Sequence, residues 1–143
     1  DLSVIEMAAA MATFANKGVH KEPIFITKIC DNKGMVLEVF NTKSNSALDE
    51  ETAYLVLELM KGVVDSGTGA RLRYKYGLRS TIAGKTGTAE LKGSKDAEAD
   101  VLGWFDCFTT DENNNQLLVI SMVENGRALG GSHYLISKIK TLF

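Results

Sequence analysis

One short stretch of the chain combines a cation, two hydroxyl groups and flexible backbone. Residues 83–91 read AGKTGTAEL, so Lys85, Thr86 and Thr88 follow one another with Gly87 between the two threonines. The order Gly-Lys-Thr occurs in two unrelated kinds of site: the phosphate-binding loop of nucleotide-binding proteins and the substrate-binding strand of active-serine acyltransferases. These sites perform different chemistry, so the flanking residues must decide between them.

The spacing of the glycines argues against the phosphate-binding loop. That loop follows the pattern G-x-x-x-x-G-K-[ST], whose first glycine lets the backbone wrap around the phosphates. Here Arg79 stands five residues before Gly84, at the place of the first glycine. The loop must also lead into a helix, whereas residues 88–100 are polar and have no apolar stripe at helical spacing. The sequence therefore favours a strand.

A strand gives these four residues a defined geometry. Successive side chains alternate, so Thr86 and Thr88 lie on one side and Lys85 on the other. Two hydroxyls about 6.7 Å apart can both donate to one carboxylate. Lys85 adds positive charge, and Gly87 leaves room for a substrate backbone. The strand is suited to an anionic, peptide-like acyl donor, although the same residues also fit an ordinary solvated edge strand.

Composition limits the classes of partner. The 143 residues are 45% hydrophobic and 24% charged, which is ordinary for one globular domain or a piece of a larger one. A formal net charge of −2 gives no overall attraction to nucleic acid or to an anionic membrane. Basic residues do alternate with apolar and aromatic ones over residues 71–76, a pattern that can bind an anion or RNA. A solvated edge with two packed tyrosines is the preferred interpretation, and no nucleic-acid partner is predicted.

The cysteines and histidines do not form a metal-binding pattern. Cys30 and Cys107 are far apart in sequence and are predicted to be two buried thiols, while His20 and His133 have no ligand spacing with either. The sequence predicts no metal and no cofactor. It also contains no apolar run long enough to span a bilayer and does not start with a signal peptide, so we expect any anchor or export signal outside this stretch.

Apolar periodicity and turn residues predict an α+β fold with an antiparallel sheet that carries helices on one face. The predicted elements are a helix that follows a Ser3–Glu6 capping box and stops at Gly18, a hairpin turning at residues 31–34, a polar connection at 41–50, a helix over residues 53–64 that ends by Gly67, a loop over residues 66–80, strands near 80–91, 100–109 and 116–125 with a polar turn at 110–115, and a last helix capped by Ser132.

The segment AGKTGTAEL, the preceding MKGVVDSGTGA and the following GWF together resemble the transpeptidase domain of penicillin-binding proteins. LSVIEMAAAMATFANKG is similar to that family's S/T-P-L-Q-M-A helix, with Val4 in place of the proline, and the resemblance continues through ENGRALGGSHY to the C-terminus. TAELK and GWF look most like the class B, low-affinity enzymes related to the methicillin-resistance protein. The resemblance implies the penicillin-binding protein/serine β-lactamase-like fold.

The resemblance also implies a reaction. In this family a serine of an S-x-x-K motif attacks a D-alanyl-D-alanine stem peptide of the cell wall, and an amine of a neighbouring stem resolves the acyl-enzyme, while β-lactams mimic the donor. Lys85 would supply positive potential, Thr86 and Thr88 would bind the donor carboxylate, and the Thr88 N–H would form half of the oxyanion hole. Lys85 and Thr88 are the implied catalytic residues; Lys85, Thr86, Gly87 and Thr88 are the implied substrate-binding residues. The implied location is the extracytoplasmic face of the bacterial cell membrane.

Two motifs of the family are missing from this chain. No S-x-N or Y-x-N motif occurs, and the single S-x-x-K match, Ser137 to Lys140, follows the Lys-Thr-Gly segment and is interpreted as chance. We therefore expect residues 1–143 to be the C-terminal portion of a single transpeptidase domain, inactive alone. Its expected partners are stem peptides, β-lactams, the missing N-terminal part and, through an unpaired sheet edge, a second copy. A β-lactam sensor domain and a serine β-lactamase of the same fold are the alternatives.

Overall fold

The structure is a computed structural model that describes residues 2–90, 100–111 and 116–143. The chain divides into two compact units, Asp1–Tyr54 and Leu55–Phe143. In chain order the elements are α1 (Val4–Ala15), β1 (Val19–Lys21), β2 (Lys28–Cys30), β3 (Val36–Val39), β4 (Ser44–Ser46), α2 (Glu50–Asp65), α3 (Arg71–Tyr74), β5 (Ile82–Glu90), β6 (Val101–Thr109), β7 (Leu118–Val123), α4 (Gly126–Leu129) and α5 (Ser132–Ile139).

Helix α1 begins and ends as the sequence predicts. The Ser3 hydroxyl accepts a hydrogen bond from the Glu6 N–H at 3.3 Å, and the Glu6 carboxylate accepts one from the Ser3 N–H at 2.8 Å, which completes the capping box. Gly18 follows the helix at a φ of +84°, a backbone conformation that favours glycine. A side chain at Gly18 would also collide with the carbonyl oxygen of Leu48, so this stop signal is fixed by packing.

The predicted hairpin is confirmed, but its strands are short and exposed. Strands β2 and β3 pair antiparallel, and the Asp31 carboxylate accepts hydrogen bonds from the N–H groups of Lys33 and Met35 at 2.8 Å each. The prediction that Cys30 is buried is wrong, because every residue of β2 and β3 is exposed. Burial of a cysteine depends on what covers its strand, which local sequence does not determine.

A second two-stranded pair was not predicted. Strand β4 pairs antiparallel with β1, from Val19 opposite Ser46 to Lys21 opposite Ser44, within the stretch predicted to be a polar connection. The backbone pairing continues beyond the strands, because the Glu22 N–H donates to the Lys43 carbonyl at 3.0 Å. Serine and asparagine have low strand propensity, so the pairing here comes from main-chain hydrogen bonds and leaves no apolar pattern.

The second unit is built on the antiparallel sheet β5-β6-β7. Its three strands match the three predicted ones, except that residue 91 and residues 112–115 of the predicted turn lie outside the described residues. One sheet face carries a buried core together with the helices, as predicted. This core consists of Val64, Leu72, Ile82, Phe105, Cys107, Leu135, Ile136 and Ile139.

Two local predictions in this unit are wrong. The predicted loop contains helix α3, so the alternation of basic and aromatic residues does not lie along an extended edge. Leu72 is buried in the core. Arg73 binds the Asp65 carboxylate at 2.7 Å and donates to the carbonyls of Leu78 and Ser80 at 2.9 and 2.7 Å. Ser132 does not cap α5. It is the first helical residue after Gly131, whose φ of +60° suits glycine and which caps without a side chain.

Candidate active site

Strand β5 changes character in its middle. Ile82, Ala83 and Gly84 are buried, whereas from Lys85 onward every residue is exposed or half-buried. Within the described ranges β5 pairs with β6 alone, so it forms an edge of the sheet. The predicted Lys85–Thr88 segment therefore lies on an extended strand at the point where that strand leaves the core, and its outer edge is open to an extended ligand.

The hydroxyl of Thr86 is met by a second hydroxyl from a different part of the chain. The Oγ1 atoms of Thr68 and Thr86 are 2.6 Å apart, within hydrogen-bonding distance. Thr88 lies on the same side of β5 as Thr86, because side chains alternate along a strand. Thr68, Thr86 and Thr88 are called the hydroxyl cluster below. Thr68 is a member that the sequence analysis missed.

The loop that carries Thr68 is held tightly between two glycines. The N–H groups of Gly67 and Gly69 donate to the carbonyls of Gly62 and Val63, each at 2.9 Å. A Cβ atom on Gly67 would lie 2.9 Å from the Val63 Cα, and one on Gly69 would lie 3.1 Å from the Val63 oxygen. The Gly-Thr-Gly sequence is therefore required for packing, and it is the signal from which a fixed position of Thr68 could have been predicted.

The opposite side of β5 pairs Lys85 with a buried acid. Lys85 lies directly across from Asp106 of β6, yet its Nζ atom donates to the Thr86 carbonyl and makes no ion pair with Asp106 within 4 Å. Asp106 is 5% exposed, and its Oδ1 atom is buried without a hydrogen-bond partner. Burial raises the pKa of the Asp106 carboxyl to about 6, and the Lys85 charge opposes part of that rise. Sequence analysis also missed this acid, although a carboxylate between Phe105 and Cys107 breaks an apolar run.

The two glycines of the motif are packed against opposite faces of the sheet. A Cβ atom on Gly84 would lie 2.8 Å from the Asp106 carbonyl oxygen and 3.2 Å from Cγ2 of Val64. A Cβ atom on Gly87 would lie 3.3 Å from the Trp104 Cβ. Packing against Trp104 therefore favours glycine at position 87, in addition to the predicted approach of a substrate backbone.

Comparisons with known proteins identify the family of the chain. Residues 1–139 match the family model described as the penicillin binding protein transpeptidase domain. The chain belongs to this family. The resemblance stated from the sequence is thus confirmed. The closer likeness to class B enzymes stays a prediction.

Individual relatives agree with the family. The chain is 34% identical over 144 residues to penicillin-binding protein 3 of Bacillus subtilis (strain 168), which covers 99% of this chain and 20% of that protein. The D,D-transpeptidase domain of a peptidoglycan glycosyltransferase from Eggerthella lenta superposes with a TM-score of 0.63 at 25% identity, over 96% of this chain and 32% of that one. Penicillin-binding protein A from M. tuberculosis, in its penicillin G acyl-enzyme complex, superposes with a TM-score of 0.69 at 24% identity, over 87% and 26%.

These likenesses confirm the predicted α+β transpeptidase fold. They also show that the chain spans about a fifth of the length of the Bacillus relative and about a third or less of the two solved chains. The comparisons therefore show the family and the fold of this chain, and not the activity, substrates or partners of a whole penicillin-binding protein.

Two side chains that could act as nucleophiles, Ser137 and Cys107, have structural surroundings that argue against this role. Ser137, in the S-x-x-K match, donates its hydroxyl to the Tyr134 carbonyl at 2.6 Å, and Lys140 lies with its Nζ 4.7 Å from the centre of the Tyr76 ring. Burial raises the pKa of the Cys107 thiol to about 12, which keeps it protonated and unreactive at neutral pH. In the described part of the chain no group of three metal-ligating side chains is found, and no helix is long and apolar enough to cross a membrane.

Proposed function

We propose that this chain is the C-terminal portion of a peptidoglycan D,D-transpeptidase domain and that β5 is its binding strand for the acyl donor. The observation that carries the proposal is the exposed edge segment Lys85–Thr88, which presents an ammonium group and the hydroxyl cluster beside an unpaired strand edge. An extended peptide that ends in a carboxylate matches all of these features: its backbone can pair with the edge, and its terminal charge can meet the cation and the hydroxyls.

The hydroxyl cluster can bind that carboxylate as a relay. Thr86 and Thr88 each have one O–H to donate. When Thr86 donates to the ligand, its oxygen remains free to accept from Thr68 at the observed 2.6 Å. A chain of hydrogen bonds polarises its members, so Thr68 strengthens the donor that faces the substrate. Lys85 adds a positive charge. To reach the ligand, its ammonium group needs only to break its hydrogen bond with the Thr86 carbonyl of the same strand.

The reaction follows the family mechanism. A serine hydroxyl, supplied by the part of the domain N-terminal to this chain, attacks the carbonyl between two D-alanines; the serine O–C bond forms, the peptide C–N bond breaks, and D-alanine leaves with the proton. An amine of a second stem then attacks the ester, and the serine oxygen regains a proton. The Thr88 N–H contributes half of the oxyanion hole, a contact worth about 3–4 kcal/mol in comparable sites. A β-lactam ring opens in the first step and stays attached.

Labelled penicillin tests this proposal directly. A protein extended toward the N-terminus should be labelled covalently, whereas residues 1–143 alone should not, because Ser137 is not the nucleophile in this proposal. Label on Ser137 of the short chain, located by peptide mapping, would contradict it. On the extended protein, steady cross-linking of stem peptides supports the transpeptidase, while a long-lived adduct without turnover would favour the alternative of a β-lactam sensor, and rapid release of hydrolysed penicillin would favour a β-lactamase.

Location and assembly follow from the same proposal. A wall-linking enzyme acts where stem peptides are, so we place the domain on the extracytoplasmic face of the bacterial cell membrane.

The open edge of β5 would also let the short chain associate with a second copy through strand pairing. Light scattering of residues 1–143 across a concentration series measures that association, and a monomer at every concentration would contradict it.

A further inference from the structure

Asp106 is a buried acid for which the proposed reaction has no use. It lies in the middle of β6 between two core residues, Phe105 and Cys107, and its side chain points to the other face of the sheet. A carboxylate oxygen that is buried without a hydrogen-bond partner is costly, because the charged form loses its hydration. The position of Asp106 directly across from Lys85 gives a functional explanation for this buried acid.

Lys85 is the charged side chain that acts on Asp106. Residues directly opposite in an antiparallel pair have Cβ atoms about 4.5–5.5 Å apart, so their charges interact even without an ion pair. The residue paired with Asp106 on β7 is Ile120, which is apolar. Helix α5 packs on the opposite face, where Gly103 meets Gly131. The neighbouring Cys107 thiol is kept neutral by its own burial. Lys85 is therefore the cation that opposes the rise in the pKa of the Asp106 carboxyl, while the charge of Asp106 adds to the rise in the pKa of Cys107.

We propose that Asp106 is a positioning residue for Lys85 and that its proton occupancy is linked to the binding of an anionic acyl donor. The inference rests on the proposed function, since it needs a donor carboxylate beside Lys85. When that carboxylate arrives, two anions share the Lys85 cation, the pKa of the buried anion rises, and that anion gains a proton from solvent. Protonation removes the charge of Asp106, so the full charge of Lys85 acts on the donor.

The linkage has a definite sign. Without donor, the pKa of Asp106 is about 6, so the carboxyl is mostly ionised near pH 8 and mostly protonated near pH 5. Donor binding raises this pKa, so it takes up a proton mainly just above about pH 6 and little near pH 5. Wild-type affinity for an anionic donor falls as the pH rises through about 6, and a variant without the Asp106 charge does not share that fall.

The test compares Asp106→Asn with the wild type in the protein extended toward the N-terminus. The second-order rate constant of acylation is measured from about pH 5 to about pH 8 with benzylpenicillin and with its uncharged methyl ester. For benzylpenicillin the variant-to-wild-type ratio should rise from near unity at the acid end to roughly tenfold at the basic end, a size typical of one charge removed from a partly buried site. For the ester the ratio should not change with pH.

Two further variants separate charge from shape. Glu124→Gln removes one exposed carboxylate just after β7 and should leave the ratio near unity throughout. Asp106→Val removes the charge with a different side chain and should repeat the trend of Asp106→Asn, which guards against a fold defect of either variant. A ratio that is flat with pH, or that rises equally with the ester, would overturn the linkage while the acylated wild type upholds the proposed function. A wild type that penicillin never acylates would overturn both.

Discussion

The two halves of strand β5 differ more than their shared backbone pairing suggests. Both halves pair residue by residue with β6, from Ile82 opposite Thr109 to Glu90 opposite Val101. The first half is buried, and its Gly84 is in contact with core atoms; the second half begins at Lys85 and is mostly exposed. One strand thus anchors a binding segment at one end and presents it at the other. Substitutions one residue apart should therefore damage different properties.

The largest expected effect is on chemistry. Lys85→Ala in the extended protein should lower the rate of acylation by penicillin by roughly 10²–10³-fold, the size seen when an electrostatic contact to the reacting group is lost. At about pH 5, where Asp106 is mostly protonated, the free energy of unfolding should change by no more than about 0.5 kcal/mol, because Lys85 is exposed. Acylation kinetics and denaturant unfolding measure the two effects. Lys85→Arg, which keeps the charge, is the matched control, and unfolding that accompanies the loss of rate would contradict the proposed role.

Gly84→Ala should show the opposite behaviour. A methyl group there would lie 2.8 Å from the Asp106 carbonyl oxygen, so we expect a loss of about 1–3 kcal/mol in the free energy of unfolding. Protein that remains folded should be acylated at close to the wild-type rate. Gly62→Ala is the control, since a methyl group on Gly62 meets nothing within 4 Å and should stabilise helix α2 by about 0.5–1 kcal/mol. A stable but inactive Gly84→Ala protein would break the comparison between the halves.

The smallest effect is expected from the relay partner of Thr86. Thr68→Val should slow acylation by a carboxylate-bearing penicillin by roughly three- to tenfold, the worth of one hydrogen bond, and Thr68→Ser should restore most of that rate. Acylation by the penicillin methyl ester should be slowed much less, because the ester has no carboxylate for the hydroxyl cluster to bind. Equal losses with both ligands would mean that Thr68 only supports the loop between α2 and α3.

Much of the fold is predictable because it depends on local patterns. The strands of the sheet appear as apolar runs, α1 has a capping box, and the Lys-Thr-Gly segment is recognisable as an edge strand by its polar residues and glycines. Strands β1 and β4 escape prediction because backbone pairing leaves no apolar signal in residues such as Ser44 and Ser46. Helix α3 escapes it because its four residues are too few to show a period.

The candidate site is predictable along β5 but not across it. Lys85, Thr86, Gly87 and Thr88 follow from their spacing in one segment. The contact of Thr86 with Thr68 depends on a loop 18 residues earlier. The position of Asp106 across from Lys85 depends on the register between β5 and β6, and a shift of one residue would have turned the acid to the other face. Tertiary register therefore decides which charges meet.

Arg73 gives the site a property that its individual contacts do not. Its guanidinium joins Asp65, at the end of α2, to the carbonyls of Leu78 and Ser80, which lead into β5. The chain between these points, which carries Thr68, is thereby closed into a ring before any ligand arrives. The entropy cost of ordering that ring falls on folding and not on substrate binding, so the affinity of a donor peptide is not reduced by it.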